Sequence, residues 1–203
     1  MIEVNLNRCS KKFRGKWVFS KIDYVFEPGK AYAITGKNGS GKSTLLKILA
    51  AFLSPSNGSI DWKLNGKQLE RESVYKHLAM AAPYIELIEE LTFSELVHFQ
   101  QKFKKYRNNL SEADILQLSG LVENHDKPVK FFSSGMKHRA ALTLAILVDA
   151  PLLLLDEPCA NLDHEARLWY QNLLEAYKKD RTVIIASNHN PEEYPACTDI
   201  ISL

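Results

Sequence analysis

The chain has 203 residues, 26 basic and 24 acidic side chains, a formal net charge of +2, an apolar fraction of 45% and a charged fraction of 25%. These values exclude a disordered, collagen-like or low-complexity chain, and the near-neutral balance gives no global electrostatic case for nucleic acid or anionic lipid. The length suits one medium domain, or one core carrying a small inserted subdomain.

Met1-Ile2-Glu3-Val4-Asn5 has neither a basic start nor an apolar run, so no signal peptide is expected. Short strands are expected first, then a turn at Pro28-Gly29 and a buried strand over Ala31-Tyr32-Ala33-Ile34. A glycine-rich loop leads into a helix over residues 44–52, where Leu45, Leu46, Ile48, Leu49 and Phe52 recur at helical spacing. Ser54-Pro55-Ser56-Asn57-Gly58 breaks it, and residues 60–64 turn at Asn65-Gly66 as a hairpin.

Residues 87–132 are helical in pattern and more charged. Thr92-Phe93-Ser94-Glu95 forms a capping box for a helix through Leu96, Phe99 and Phe103, and Ser111 opens another that ends at Gly120. This stretch reads as a helical subdomain inserted into a core made of residues 1–86 and 133–203. Residues 135–148 then form a long helix, and Leu152-Leu153-Leu154-Leu155 a buried strand closed by Asp156. Asp163 caps a helix reaching Lys178, and residues 182–186 form the next buried strand. The expected class is α/β, with a mostly parallel sheet and an N-terminal antiparallel β portion. The longest nearly apolar run, residues 140–148, falls far short of the roughly 20 residues of a membrane-spanning helix. Three widely spaced cysteines, Cys9, Cys159 and Cys197, suit a reducing cytoplasm and no disulfide framework.

The chemistry lies in the motifs. Gly36-Lys37-Asn38-Gly39-Ser40-Gly41-Lys42-Ser43, followed by Thr44, fits the phosphate-loop pattern between an expected strand and helix. Glycines let successive backbone N–H groups turn inward as a nest for phosphate oxygens, and the following helix adds its positive end. Lys42 brings a compact cation to the β- and γ-phosphates, and the Ser43 hydroxyl can ligate Mg²⁺. Asp156 and Glu157 end the buried strand, where the first acid can hold Mg²⁺ and the second can polarise an attacking water.

Phe132-Ser133-Ser134-Gly135-Met136-Lys137-His138-Arg139 precedes those acids, with Ser133 placed to cap a helix. In this order and spacing the three motifs resemble the ATP-binding-cassette ATPases, whose signature runs Leu-Ser-Gly-Gly-Gln. This copy differs at Phe132, Ser134 and Met136 and keeps Ser133 and Gly135. The resemblance covers essentially the whole chain. It implies an aromatic platform for adenine at Phe13, with Trp17 as competitor, where stacking is worth about 1–3 kcal/mol per base. It also implies that Pro158-Cys159-Ala160-Asn161-Leu162-Asp163 meets an opposing subunit.

Two family positions depart. No glutamine occurs between Leu78 and Leu96, and the glutamine's place falls near Pro83-Tyr84, with Glu86 the nearest polar candidate. The switch histidine falls on Asn188 when counted without gaps and on His189 after a shift of one; an imidazole suits the role better than an amide.

By this resemblance the chain is the ATP-hydrolysing subunit of a transporter. Its cofactors are ATP and Mg²⁺, and its partners are a transmembrane subunit on another chain and a second ATPase subunit, identical or not. Catalysis would rest on Glu157, Lys42 and His189, with metal held by Ser43 and Asp156, and with Ser133, Ser134 and Gly135 acting in trans. The expected location is the cytoplasm, at the inner face of the membrane, with no nucleic-acid partner. The alternatives are a soluble ATPase of the same family in assembly work, such as iron–sulfur assembly, and a phosphate-loop kinase. The short distance between Lys42 and Ser133 leaves no room for a long coiled-coil insertion, and the chain's size resembles compact export ATPases, including those of haem export.

Overall fold

The computed structural model describes every residue from Met1 to Leu203. Strands β1 (Ile2–Phe13) and β2 (Lys16–Phe26) form a long antiparallel hairpin, with Val4 opposite Phe26. β1 also pairs with β4 (Asn57–Leu64), which turns at Asn65-Gly66 into β5 (Lys67–Leu69). These strands are longer than the sequence suggested. Arg8 and Lys21 adopt positive φ at irregularities that leave the hairpin continuous.

The second sheet is wholly parallel, in the order β6 (Leu78–Ala81), β7 (Leu152–Asp156), β8 (Thr182–Ser187), β3 (Ala31–Thr35), β9 (Asp199–Ser202). β8 stands between the strand feeding the phosphate loop and the strand ending in Asp156. The two motifs therefore sit on strands with β8 between them rather than on adjacent ones. β8 can be central because Val183, Ile184, Ile185 and Ala186 are all buried and apolar on both faces.

Helix α1 (Lys42–Leu49) buries Leu45, Leu46, Ile48 and Leu49 between the two sheets, in a core shared with Val4, Trp62, Leu154 and Ile184. It begins two residues before the expected start, directly after Gly41. Helices α2 (Phe93–Gln101), α3 (Glu112–Ser119), α4 (Ser134–Leu147) and α5 (His164–Tyr177) build a second core against the other face of the parallel sheet. Both expected capping boxes form, Thr92 with Glu95 and Ser111 with Asp114, and Gly120 closes α3 in the left-handed conformation. Residues 87–132 hold α2, α3 and short 3-10 turns, and α4 packs against both helices.

α4 ends on a side chain that sequence periodicity does not mark. Arg181 is fully buried at the entry to β8, and its Nη1 and Nη2 donate to the carbonyls of Ile146 (2.9 Å) and Val148 (2.6 Å). Burial lowers its pKa to about 9. We expect Arg181→Ala to destabilise the chain by about 3 kcal/mol, since the freed carbonyls stay buried. A denaturant-unfolding shift below about 1 kcal/mol would show that this tie is dispensable.

Candidate active site

The parallel strands bring their C-terminal ends to one edge, and the loops that leave them meet there, the usual place for a ligand in such a sheet. Residues 36–41 leave β3 and turn into α1. Gly41 has φ +106°, and a Cβ there would lie 2.5 Å from Val18 Cγ1 on β2. A Cβ at Gly36 would approach Ser40 Oγ to 2.6 Å and the Leu203 carbonyl to 2.8 Å. The glycines thus serve close packing as well as backbone freedom. Lys42 is buried, and its ammonium donates to the carbonyls of Gly36 (2.8 Å) and Lys37 (3.2 Å), so the cation lies over its own loop.

A cleft of about 390 Å³ is lined by Asn38, Gly39, Gly41, Lys42, Ser43 and Thr44, together with Phe13 and Glu157. Phe13 and Trp17 are both half exposed, but Trp17 lines a different, polar cleft beside Arg8 and Lys21. Only Phe13 shares the phosphate-loop cleft.

Asp156 ends β7 with only 2% of its surface exposed. Neither of its carboxylate oxygens has a hydrogen bond of proper geometry. Burial is the main influence raising its pKa; the Ser43 hydroxyl opposes this, Glu157 adds to it, and Lys42 and the Tyr84 hydroxyl oppose it. A buried carboxylate with two orphaned oxygens, facing a serine hydroxyl, is the hard-oxygen donor set that Mg²⁺ takes. Next to it, Glu157 has φ +48° and bonds its N–H to the Ala186 carbonyl at 2.9 Å.

Tyr84 stands where the family resemblance put the missing glutamine, and sequence reasoning gave it no role there. Because Ala81 of β6 pairs with Leu155 of β7, the segment leaving β6 passes beside Asp156. Burial and the Asp156 carboxylate push the Tyr84 phenol well above its ordinary range, and Lys47 of α1 stands 3.8 Å above the ring. Glu86, the polar candidate from the sequence, lines an apolar groove with Ile85 and Leu96 instead. It does not line the phosphate-loop cleft. The resemblance located the position, but the contact of Tyr84 with Asp156 follows from the pairing of β6 with β7.

Ser133 caps α4, its hydroxyl accepting the Met136 N–H at 3.2 Å. Ser133 and Ser134 are exposed, and with Gly135 they lie outside the phosphate-loop cleft of their own chain. The loop after β7 is tied to α4: the His138 ring donates Nε2–H to the Pro158 carbonyl at 2.7 Å, and burial lowers the pKa of that imidazole. Asn188 and His189 follow β8 as exposed residues, His189 with φ +54°, and neither lines the cleft.

The family model for ABC transporters matches residues 19–160. An uncharacterised ABC transporter ATP-binding protein of Bacillus subtilis (strain 168), YybJ, is 33% identical over 98% of this chain and 90% of its own length. Other relatives are longer, and the chain spans 61% of one and 42% of another. A solved structure described as the ATP-binding subunit of an ABC transporter has a TM-score of 0.83 at 25% identity, covering 98% of this chain and 85% of that one. The dimeric post-hydrolysis state of the cassette MJ0796, bound to ADP and Pi, has a TM-score of 0.82 at 23% identity, over 98% and 94%, and shows the same fold.

Proposed function

The chain belongs to the ABC transporter family as an ATP-binding cassette, and on that premise we propose that it hydrolyses ATP to drive a transmembrane partner on a separate chain. The observation that carries this reading is a single cleft shared by Phe13, the phosphate loop and Glu157, with the orphaned Asp156 carboxylate facing Ser43.

In this reading the adenine stacks on Phe13. The phosphates lie along the N–H groups of residues 36–41, with the positive end of α1 behind them. Lys42 turns from its own carbonyls to the β- and γ-phosphates and meets the charge that develops between them. Ser43 and Asp156 would hold Mg²⁺, which when bound neutralises phosphate charge; the Tyr84 hydroxyl adds a neutral oxygen to the same corner. Glu157 orients the attacking water and takes its proton as the oxygen closes on the γ-phosphorus, while the bond from that phosphorus to the β,γ-bridging oxygen breaks and ADP leaves. His189, outside the cleft in this structure, would reach the γ-phosphate by a turn of the loop after β8. Ser133, Ser134 and Gly135 supply further donors from a second cassette, identical or related, in a two-fold arrangement.

No helix of the chain is long and apolar enough to cross a membrane. Transport therefore calls for membrane-spanning segments that these helices do not provide, and we assign them to the partner, with this cassette on the cytoplasmic face. The surface that suits such a partner is a groove of about 370 Å³ between α2, α4 and β6, where Phe52, Tyr75, Ile88 and Phe99 stand exposed. An apolar patch of that kind fits the apolar side of a short cytoplasmic helix of the membrane partner.

Three measurements test these assignments. Glu157→Gln should keep nucleotide affinity within about twofold, lower turnover by at least about 100-fold and accumulate an ATP-bound dimer on size exclusion. Turnover at the parental rate would remove Glu157 from the role of base. His189→Ala should lower turnover by about 100-fold while Asn188→Ala changes it by less than about threefold; the reverse pattern assigns the switch to Asn188. Phe99→Glu should leave ATP hydrolysis by the purified chain unchanged and move the chain from the membrane fraction of its native cells to the soluble one. Undiminished membrane association would sink the groove as the docking surface.

A further inference from the structure

Among the acidic side chains, two are buried: Asp156, already placed in the cleft, and Glu193, which has no part in it. Glu193 ends the 3-10 turn Pro191–Glu193, which follows the loop leaving β8, and is 4% exposed. The turn is bolted to α5. The Tyr170 hydroxyl donates to the Glu193 carbonyl at 2.6 Å, Gln171 Nε2 donates to the Glu192 carbonyl at 2.9 Å, and Arg167 pairs with the Glu192 carboxylate at 2.8 Å. From that anchorage Glu193 reaches across to the loop after β7, where its Oε1 accepts the Cys159 N–H at 3.3 Å.

That loop carries a strained residue. Glu157 has φ +48°, a conformation unfavourable for a side chain with a Cβ, which persists only when its surroundings over-determine it. The Glu157 N–H is held by the Ala186 carbonyl at 2.9 Å, and the Glu157 carbonyl accepts the Ala160 N–H at 2.9 Å, closing a four-residue turn. Cys159 lies inside this turn, and its N–H is satisfied by Glu193. Two side chains distant in sequence hold this turn: His138 at the Pro158 carbonyl (2.7 Å) and Glu193 at the Cys159 N–H.

We propose that Glu193 is a positioning residue for Glu157: by holding the Cys159 N–H it keeps the 157–160 turn in the strained form that aims the Glu157 carboxylate into the phosphate-loop cleft. The inference rests on Glu157 acting on the attacking water, and it assigns Glu193 no contact with ATP. Burial raises the pKa of Glu193, with Glu157 and Asp156 adding to the effect and the Ser187 hydroxyl and Cys159 N–H opposing it. The Cys159 N–H needs only an acceptor oxygen, which a glutamine carbonyl also supplies, and this makes glutamine the informative replacement.

The test compares Glu193→Met, which keeps the volume and loses the acceptor, with Glu193→Gln, which keeps both. Steady-state hydrolysis of Mg·ATP and titration with a fluorescent ATP analogue are measured on the full chain. Glu193→Met should lower kcat by about tenfold with KM and analogue affinity within about twofold, and Glu193→Gln should return kcat to within about threefold. In a Glu157→Gln background, Glu193→Met should change the residual turnover by less than about twofold, because the residue it positions has lost its basicity. Tyr170→Phe, which loosens the same turn without touching the carboxyl, should lower the melting midpoint and leave kcat near parental. Parental kcat in Glu193→Met overturns the proposal, as does an equal loss in both backgrounds or an equal loss in Tyr170→Phe. Parental turnover in Glu157→Gln alone would instead defeat the reading of the base on which the proposal rests.

Discussion

The position of β8 is the constraint from which the rest of the structure follows. It pairs in parallel with β3 on one side and β7 on the other, with Thr35 opposite Ser187 and Asp156 opposite Ala186. Those registers align the ends of three strands, so the phosphate loop, the acid pair and the loop bearing Asn188 and His189 leave the sheet at one level. Parallel pairing permits this because every strand points the same way and each return passes over a face of the sheet. The requirement on β8 is strict: it must be apolar on both faces, and its buried residues meet it.

Around that edge, the fold holds charges where water would otherwise neutralise their effect. Asp156 is buried with both oxygens unpaired, and Lys42 is buried on its own loop carbonyls. Such groups strongly favour a ligand that supplies cations to one and phosphate oxygens to the other. The helix cap at Ser133 is exposed by contrast, outside the cleft of its own chain. One half of the apparatus is thus folded into the core and the other is displayed on the surface, an arrangement that suits two cassettes meeting face to face.

Strain and its supports lie on the same side of the molecule. Glu157, Asn161 and His189 all have positive φ in the loops that follow β7 and β8. Those loops are fastened to α4 through His138 and to α5 through the 3-10 turn after β8. Helices that line no part of the phosphate-loop cleft of their own chain are thus tied to the loops that follow β7 and β8.

Much of this was legible in the residues because it depends on local chemistry. The phosphate loop needs glycines, a lysine and a hydroxyl at fixed spacing. The capping boxes at Thr92 and Ser111 need only neighbours three residues away, and the Asn65-Gly66 turn needs only itself. Periodicity likewise located α1, α4 and the apolar strands to within a few residues. Other features belong to pairs far apart in the chain. Arg181 finds the end of α4, Tyr84 comes to Asp156 through the pairing of β6 with β7, and Glu193 reaches Cys159 across two loops. The same holds for the choice between Phe13 and Trp17, which have similar chemistry and exposure and differ only in the cleft they line. By itself, the amino-acid sequence determined the chain's class and its phosphate loop, and it nominated the residues proposed here to carry the chemistry. Which strands stand side by side, and which side chains thereby reach the acids at the sheet edge, was decided only by tertiary structure, because parallel pairing is a long-range interaction that no short window of residues encodes.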